Sequence, residues 1–350
     1  MAVIRTKTYS ITTGGIVPRA LGRFLQKKNY NPVFIICDEN TLRHCLPPLI
    51  ASCPALAESQ VIELEAGEQT KSIQVCEQVW KTLLEENAGK QSLVVNLGGG
   101  VVSDTGGFCA SVYKRGIPFI NIPTTLLAMA DASVGGKTGI NAANVKNAIG
   151  TITQPEAVFV DPVFLDTLSR RHYQNGLAEI YKMALIADGT LWKRLASGNK
   201  IPLLQLIEKS IAIKNKIVTR DPFDKGLRRI LNFGHTIGHA IESAAFDAGG
   251  DVLHGEAVVA GMIVESHLAF QKKLITQKQL SEITTALRHT FTLVRMPWIE
   301  VLLPYIRNDK KISSKRLALP LIDGIGRCRT EVEITETQIK KAIDFYQSIT

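Results

Sequence analysis

The sequence predicts an α/β domain with a mainly parallel sheet, followed by a mostly α-helical domain. In the first half of the chain, short apolar runs alternate with helical segments, as they do in βαβ units. A glycine-rich turn directly follows one of those runs. Beyond about residue 168, apolar residues recur at helical spacing in successive segments. We therefore expect domains at 1–168 and 169–350, with the active site in the cleft between them, because open α/β sheets bind ligands at the carboxyl ends of their strands.

The first domain is expected to contain four short strands and a capped helix. The β-rich runs that predict the strands lie at 33–37, 92–97, 119–122 and 157–160. Ser72 can accept a hydrogen bond from the backbone of a helix that follows it. The apolar face of this helix is expected to carry Ile73, Cys76, Trp80 and Leu83.

The second domain is expected to be mainly helical. Its helices are expected at 175–186, 201–218, 234–243, 256–274, 277–290 and 335–349. Asp323-Gly324 is expected to turn a hairpin whose strands lie at 317–322 and 327–333. Residues 244–251 are expected to form a small insertion in a surface loop.

The composition is that of an ordinary globular protein with an anionic partner. Of the 350 residues, 45% are hydrophobic and 21% are charged, and the net charge is +9. A small phosphorylated or carboxylated substrate accounts for this charge. A nucleic-acid-binding module is the alternative, but the basic residues are scattered and form no known reader motif. We therefore expect no nucleic-acid partner.

Neither a membrane segment nor a disulfide framework is visible in the sequence. The longest apolar run, 257–264, is too short to cross a bilayer, and the amino terminus lacks the apolar core of a signal peptide. We therefore expect a cytoplasmic protein without a membrane partner. The six cysteines form no Cys-x-x-Cys pair, so we expect them to be reduced and mostly buried.

Three of the seven histidines lie in two neighbouring motifs. His235 and His239 are four residues apart in Asn232-Phe-Gly-His-Thr-Ile-Gly-His239, so they share one face of a helix. His254-Gly-Glu256 begins fifteen residues after His239. Imidazoles with an acidic partner are the ligands that a zinc-type metal selects. The alternative is that two of these histidines are ordinary helix residues.

Two glycine-rich segments are candidates for phosphate binding. Gly98-Gly-Gly-Val-Val-Ser-Asp104 follows a strand, so its backbone N–H groups and the next helix could approach a pyrophosphate. A tight strand-to-helix turn without a ligand is the alternative. The run from Pro123 to Asn141 contains Gly-Gly-Lys-Thr, but a Walker loop requires glycine where this chain has Asp131. We therefore reject an NTPase.

Together these motifs resemble the 3-dehydroquinate synthase family of sugar phosphate cyclases, in order and spacing and nearly from end to end. The further landmarks are Gly67-Glu-Gln-Thr-Lys71, Arg115-Gly-Ile-Pro118, Lys146-Asn147, Gly176-Leu-Ala-Glu179 and Asp309-Lys-Lys311. The resemblance implies a phosphate-eliminating lyase that makes 3-dehydroquinate from 3-deoxy-D-arabino-heptulosonate 7-phosphate in the shikimate pathway. It also implies transient oxidation by NAD, a divalent metal and a homodimer.

The resemblance further implies roles for individual residues. NAD would be held by Asp38, Asn40, Glu68, Lys71, Gly99, Gly100, Val101, Asp104, Thr124, Thr125, Lys146, Phe164, Leu165, Asp166 and Thr167. Zinc or cobalt would be held by Glu179, His235 and His254. Catalysis would use His239 as a general base or proton relay, together with Asp224, Lys137, Lys182, Lys214, Arg228 and Asn232. The substrate would also contact Arg115, Asp131, Asn147 and Lys310.

Two other enzymes remain compatible with the motifs, and three residues depart from the family pattern: Asp224, Val145 and Ser103. The alternatives are another sugar phosphate cyclase and a metal- and NAD-dependent polyol dehydrogenase. Asp224 stands where the family usually has glutamate, so the acid is kept but is one methylene shorter. We expect this change to shift the proton network without removing it.

Overall fold

The computed structural model describes residues 2–143, 145–308 and 317–350. In these ranges the helices are α1 (Val17–Lys28), α2 (Glu39–His44), α3 (Leu46–Ser52), α4 (Ile73–Glu85), α5 (Gly100–Val112), α6 (Arg170–Ala187), α7 (Gly189–Ala196), α8 (Leu203–Arg220), α9 (His235–Asp247), α10 (His254–Gln271), α11 (Gln277–Thr290), α12 (Ile299–Asn308) and α13 (Glu336–Ile349). The strands are β1 (Ala2–Arg5), β2 (Ser10–Thr13), β3 (Val33–Asp38), β4 (Gln60–Leu64), β5 (Leu93–Gly98), β6 (Phe119–Pro123), β7 (Lys137–Ala142), β8 (Val145–Ile152), β9 (Ala157–Val160), β10 (Leu317–Ile322) and β11 (Cys328–Ile334).

The chain forms two compact units. The first contains Met1–Ser169 and Leu203–Asn215, and the second contains Arg170–Pro202 and Lys216–Thr350. Residues 203–215 are the first part of α8, for which helical periodicity alone suggested no partner. Ser210 donates a hydrogen bond of 3.0 Å to the carbonyl of Ala130. These long-range contacts explain why this part of α8 belongs to the first unit.

The first unit is built on a seven-stranded sheet in the order β1-β2-β9-β6-β5-β3-β4. β1 pairs with β2 antiparallel, and every other neighbouring pair is parallel. Every residue of β5 is buried, as expected of a central parallel strand covered on both faces. The four strands expected from the sequence are confirmed as β3, β5, β6 and β9. A separate antiparallel hairpin is formed by β7 and β8.

Helix α4 begins after Ser72, as expected, and the Ser72 side chain accepts a hydrogen bond from the backbone N–H of Val75. Its buried stripe consists of Cys76, Val79 and Leu83, at spacings of three and four. The expectation for Ile73 was wrong, because this side chain is 47% exposed. The core-facing stripe therefore begins one turn after the start of the helix.

The second unit is mainly helical, which confirms the predicted change of architecture. Helix α10 packs against α6, α9, α11 and α13. Its apolar run at 257–264 is completely buried, as expected of a helix that is hydrophobic on all sides. The expected hairpin is confirmed as β10 and β11. Helices α7 and α12 carried no clear signal, since α7 is short and α12 contains Pro304.

One loop is shorter than the sequence indicated. Residues 244–251 were expected to form a surface loop, but α9 continues to Asp247. Only the connection from 248 to 253 separates α9 from α10. This short connection matters because it leads directly into His254.

The cysteines are free thiols, as expected: five are buried and Cys328 is half-buried. Across the described ranges, the helices are too short or too polar for any of them to traverse a bilayer.

Candidate metal and nucleotide sites

Three helices of the second unit bring a carboxylate and two imidazoles together. Glu179 comes from the middle of α6, whereas His235 and His254 are the first residues of α9 and α10. The Nε2 atoms of His235 and His254 lie 3.6 and 3.4 Å from the same Glu179 oxygen. The three candidate ligand atoms lie within 4.8 Å of one another. The structure therefore assembles the predicted cluster.

The other nitrogen of each imidazole is also engaged. His235 Nδ1 lies 3.2 Å from the carbonyl oxygen of Phe233, and His254 Nδ1 lies 3.0 Å from a carboxylate oxygen of Glu242. These contacts engage Nδ1 of each ring and leave Nε2 as the nitrogen that faces Glu179. Such outer partners fix both the tautomer and the ring orientation of metal-binding histidines.

A buried carboxylate on α10 fixes the first turn of α9. Glu265 is fully buried, and it accepts a hydrogen bond of 2.5 Å from the backbone N–H of Gly234. A negative charge at this position also interacts favourably with the helix dipole. Gly234 has φ of 80°, a conformation that favours glycine. This arrangement sets where His235 begins the helix.

The cluster is strongly charged although it is buried. Burial by itself would raise the pKa of Glu179, but the charges of Lys182 and His254 outweigh it and lower that pKa to about 2. Burial would lower the pKa of His254, but Glu242 and Glu179 outweigh it and raise that pKa to about 10. Lys182, itself buried, is in ion-pair contact with Glu179. Glu179 is therefore held as an anion, the form that binds a cation.

The donor set fits a divalent metal of the zinc type. Both Glu179 oxygens are buried; one lies against the Lys182 ammonium group, and the other faces the two imidazoles. One carboxylate and two imidazoles leave further coordination positions for substrate, as catalytic rather than structural zinc sites do.

His239 and a tight loop complete the second unit's candidate residues. The ring centroid of His239 lies 5.3 Å from that of His235 and 5.9 Å from that of His254. The loop carries Asp224, with φ of 57°, and the buried side chain of Arg228. Asn232 ends the turn of 3-10 helix Leu227–Asn232, three residues before His235.

Asp221 holds this loop in place. Its carboxylate accepts hydrogen bonds from the backbone N–H groups of Lys225, Gly226 and Arg228, at 2.9, 2.7 and 3.0 Å. These backbone donors, Arg228 first, lower the pKa of Asp221. The Arg228 guanidinium in turn donates to the carbonyl of Pro222 at 2.9 Å. The sequence-predicted Arg228 is thus positioned by an acid that sequence reasoning missed.

In the first unit, most residues expected to bind NAD follow the carboxyl ends of parallel strands. These ends lie at one edge of the sheet, which is where open α/β sheets bind ligands. The residues are Asp38 at the end of β3 and Asn40 after it, Glu68 and Lys71 after β4, Gly99, Gly100, Val101 and Asp104 after β5, Thr124 and Thr125 after β6, and Phe164, Leu165, Asp166 and Thr167 after β9.

The glycine turn after β5 allows a close approach of the backbone. Gly99 is the N-cap of α5, so the first N–H groups of this helix face outward from the turn. A Cβ atom on Gly99 would lie 3.1 Å from the methyl group of Thr125, and one on Gly98 would lie 2.5 Å from Val102. Asp38 has a local role as well, because its carboxylate accepts a hydrogen bond from the backbone of Thr41 and caps α2.

A polar network joins four segments of the first unit. Lys71 is buried, donates to Asp104 at 2.8 Å and contacts the side-chain oxygen of Asn147. Asn141 donates to Glu68 at 2.9 Å and accepts from the backbone N–H of Asn147 at 2.8 Å. The β7–β8 hairpin is thereby tied to residues that follow β4 and β5.

A second buried cation of the first unit is paired with an acid. Lys214 on α8 lies 2.8 Å from the carboxylate of Asp131 and donates to its carbonyl at 2.7 Å. Asp131 belongs to a π-helical turn, Ala128–Ala132, a type of turn that often occurs at functional sites. The structure therefore brings together two residues that lie far apart in the sequence.

Three more of the predicted residues are exposed, and a fourth lies outside the described ranges. Arg115 is exposed and precedes the amino end of β6, which is the opposite edge of the sheet from the glycine turn. Lys137 and Lys146 lie exposed on the β7–β8 hairpin. Lys310 lies outside the described residues.

Sequence reasoning missed Glu242, although a signal was present. Glu242 follows His239 by three residues and His235 by seven, so all three share one face of α9. Asn141 and Asp221 gave no such signal, because their partners are backbone groups or lie far away in the chain.

The comparisons with known proteins show the family of the chain. The model of the 3-dehydroquinate synthase N-terminal domain matches residues 61–175, and that of the C-terminal domain matches residues 176–312. A 3-dehydroquinate synthase of Parabacteroides distasonis is 37% identical, over 93% of this chain and 94% of its own. Another from Helicobacter pylori is 38% identical over the same shares.

A solved structure shares the fold of this chain. The 2-epi-5-epi-valiolone synthase of Streptomyces hygroscopicus, solved with NAD+ and Zn2+ bound, has a TM-score of 0.87 and is 27% identical. The match covers 100% of this chain and 99% of the other. With both family models and close full-length relatives in agreement, the chain belongs to the 3-dehydroquinate synthase family.

Proposed function

We propose that this chain converts 3-deoxy-D-arabino-heptulosonate 7-phosphate to 3-dehydroquinate and phosphate. The observation that carries the proposal is the cluster of Glu179, His235 and His254, with both imidazoles fixed through Nδ1. Membership of the 3-dehydroquinate synthase family supports this substrate over those of other sugar phosphate cyclases.

Two cofactors are part of the proposal. A divalent metal is assigned to Glu179, His235 and His254, and NAD to the residues after the parallel strands of the first unit. The valiolone synthase relative, which binds NAD+ and Zn2+, supports both assignments. When bound, NAD accepts a hydride that it later returns, and the metal polarises a substrate hydroxyl.

His239 is assigned the role of accepting the proton of that hydroxyl. Its ring lies one helical turn from His235, so it is within reach of a group held by the cluster. A positioned base of this kind contributes about 10²–10⁴-fold to a rate. Asp224 and Arg228 are assigned to the same proton network. Because Asp224 is one methylene shorter than the family's glutamate, we expect this network to be shifted in position but kept.

Buried cations are assigned to the substrate's two anionic groups. Lys182, Lys214 and Arg228 are all buried, so their charges are less screened than those of surface residues. Lys137, Asn147 and Asn232 are assigned to the same role, as are Arg115 and Lys310. Holding both ends of the substrate favours the final ring closure, because an oriented intramolecular reaction avoids much of the entropic barrier.

Lys182 has a second role in the proposal. Its ammonium group lies against Glu179 and favours the ionised carboxylate. A neutral residue at this position would leave Glu179 more easily protonated and therefore a weaker ligand. Lys182 thus contributes both to metal binding and to substrate binding.

The test is to incubate the purified chain with substrate, NAD and Zn2+ or Co2+, and to follow free phosphate and ring product. We expect turnover that requires NAD but leaves its amount unchanged. Removing metal with a chelator is expected to stop the reaction, and adding it back to restore it.

Glu179→Gln is the matched variant, and Glu336→Gln on α13 is its control. We expect Glu179→Gln to lose turnover. Glu336→Gln should keep it, because Glu336 pairs with Arg307 and is not a candidate ligand. Stoichiometric accumulation of NADH would instead identify a dehydrogenase, and phosphate release without a ring product would refute the cyclase.

We propose further that the chain works as a cytoplasmic homodimer. The support is the family resemblance. Sedimentation at several protein concentrations tests the dimer, and fractionation of the source cells tests the location.

A further inference from the structure

The segment that leads into His254 is clamped to helix α6 by one arginine. Arg171 donates from Nε and Nη2 to the two carboxylate oxygens of Glu256, at 2.7 and 2.9 Å. It also donates to the carboxylate of Asp251 at 2.5 Å and to the carbonyl of Asp251 at 2.6 Å. Asp251 and Glu256 flank His254, so the guanidinium spans the junction that presents this ligand.

A second contact lies one helical turn further along α6. The side-chain oxygen of Asn175 accepts a hydrogen bond from the backbone N–H of Gly255. A Cβ atom at Gly255 would lie 2.2 Å from the carbonyl oxygen of Asn175, so only glycine permits this approach. Glu256 also accepts from the backbone N–H of Leu253 at 2.9 Å and caps α10.

These contacts follow one stripe of α6. Arg171, Asn175 and Glu179 are spaced four residues apart, so they share a face of the helix. Along this face, Arg171 holds the connection before His254, Asn175 holds the residue after it, and Glu179 meets its imidazole. One rigid helix therefore carries a metal ligand and also the groups that hold another ligand.

We propose that Arg171 is a positioning residue for the metal ligand His254. The inference rests on the proposed metal site and adds a residue that does not touch the metal. Without the clamp, the 248–253 connection and the first turn of α10 must be ordered when the metal binds. That ordering cost reduces metal affinity, whereas the ligands themselves are unchanged.

The expected loss of metal affinity follows from how exposed the side chains of the clamp are. Arg171 is 45% exposed and Asp251 is 80% exposed, whereas Glu256 is 22% exposed. The clamp also borders an open cavity of about 570 Å³, lined further by Gln174, Phe291 and Thr292. Exposed ion pairs contribute little, so the bidentate contact to Glu256 is the main one. We therefore expect a loss of metal affinity near the lower end of the outer-partner range, about tenfold.

The experiment compares Arg171→Lys and Arg171→Gln with the unaltered chain. Lysine keeps the charge but not the forked geometry, and glutamine removes both. Zn2+ affinity is measured by competition with a chromophoric chelator, and the Co2+ complex by its visible absorption. We expect weaker binding in the order unaltered, lysine, glutamine, with a changed Co2+ spectrum. Unchanged affinity and spectrum in both variants would overturn the inference.

Arg307→Lys is the matched control. Arg307 forms a similar exposed pair with Glu336 between α12 and α13. We expect its metal affinity to stay within about twofold of the unaltered chain, since outer-partner effects require contact with the ligand segment. An equal loss in this control would show a general effect of stability and would overturn the inference. The unfolding temperature of each metal-free variant separates the two effects.

A milder variant keeps the inference testable if Arg171 variants do not fold. Glu256→Gln keeps the size of the side chain but removes the charge of the main anionic partner of Arg171, and it is expected to weaken metal binding in the same direction. Unchanged affinity there would contradict the clamp. If the unaltered chain binds neither Zn2+ nor Co2+, the proposed metal site and this inference are both wrong. If it binds a metal tightly and the variants bind it with the same affinity, only this inference is wrong.

Discussion

Residues outside the candidate ligand set of Glu179, His235 and His254 hold this cluster in place. Glu242 orients the imidazole of His254, and Glu265 fixes the turn from which His235 projects. Both carboxylates are buried, so each holds its partner with little competition from water. We therefore expect the metal affinity of the candidate site to depend on Glu242 and Glu265 as well as on the ligands.

Replacing Glu242 tests this dependence. Glu242→Gln keeps the size of the side chain but removes the charge opposite His254 Nδ1. We expect metal affinity to fall by about 10–100-fold, the range typical of partners one layer beyond the ligands. Competition with a chelator measures it. Glu336→Gln is the control, and equal affinities in the two variants would contradict the role of Glu242.

Lys71 is expected to stabilise the first unit through its ion pair with Asp104. Lys71→Met leaves the carboxylate of Asp104 without its ammonium partner. We expect the free energy of unfolding to fall by about 3 kcal/mol, as when a buried ion pair loses one member. Urea denaturation measures the change. A double variant with Asp104→Asn should recover part of the loss, and strict additivity of the two single changes would argue against the pair.

The loss of unfolding free energy in Lys71→Met is expected to depend on pH. Burial raises the pKa of Asp104, whereas Lys71 opposes this rise. Removing Lys71 raises the folded-state pKa further above the unfolded value, which destabilises the fold when Asp104 is charged. The deficit of Lys71→Met is therefore largest at neutral pH and shrinks as pH falls through the raised folded pKa. Urea denaturation at several pH values measures it; a deficit that grew on acidification would contradict this sign.

Among the elements, α9 and α10 approach more closely than side chains would allow. A Cβ atom on Gly261 would lie 1.9 Å from the carbonyl oxygen of Gly234, and one on Gly238 would lie 3.2 Å from the carbonyl of Ala257. These two helices begin with His235 and His254. Close packing of their backbones therefore sets the separation of two candidate ligands.

Gly261→Ala is expected to separate the two helices. The added methyl group meets backbone rather than a flexible side chain, so we expect a destabilisation of about 1–3 kcal/mol or more. Denaturant unfolding measures it. Gly22→Ala in α1 is the control, because nothing lies within 4 Å of its Cβ. That change should stabilise by roughly 0.5–1 kcal/mol. Equal stability of the two variants would contradict close packing at Gly261.

At the scale of the whole molecule, metal binding should be coupled to folding. Ligands from α6, α9 and α10 come together only in the folded second unit, so a metal stabilises the folded state. At about 100 times the dissociation constant, we expect a gain near 2.7 kcal/mol. Thermal unfolding at several Zn2+ concentrations measures it. Glu179→Gln should show little gain, and an equal gain would place the metal elsewhere.

The positive charge of the chain is also a property of the whole molecule. Several cations that a basic nucleic-acid-binding surface would expose are buried here, including Lys71, Lys182, Lys214 and Arg228. Burial beside acids and polar groups suits a small anionic ligand better than a polyanionic surface. The burial of these cations therefore favours a small anionic ligand, the partner expected from the net charge of +9.

The sequence by itself determined four strands of the parallel sheet, the main helices and the family. Alternation and helical spacing are local patterns, and motif order survives without knowledge of contacts. His235 and His239 were placed on one helix for the same reason. Glu242 was within reach of this reasoning, because it lies on the same face as these histidines.

Only the tertiary structure decided how distant residues support those motifs. It placed residues 203–215 in the first unit, paired Lys214 with Asp131, and brought Arg171 to the segment around His254. It also showed that the buried stripe of α4 begins one turn after Ile73 and that α9 extends to Asp247, beyond its predicted end. Hydrogen bonds and ion pairs act over a few ångströms in space, whereas sequence periodicity reports only on neighbours along the chain. The partners of a buried group are therefore known only once the chain has folded.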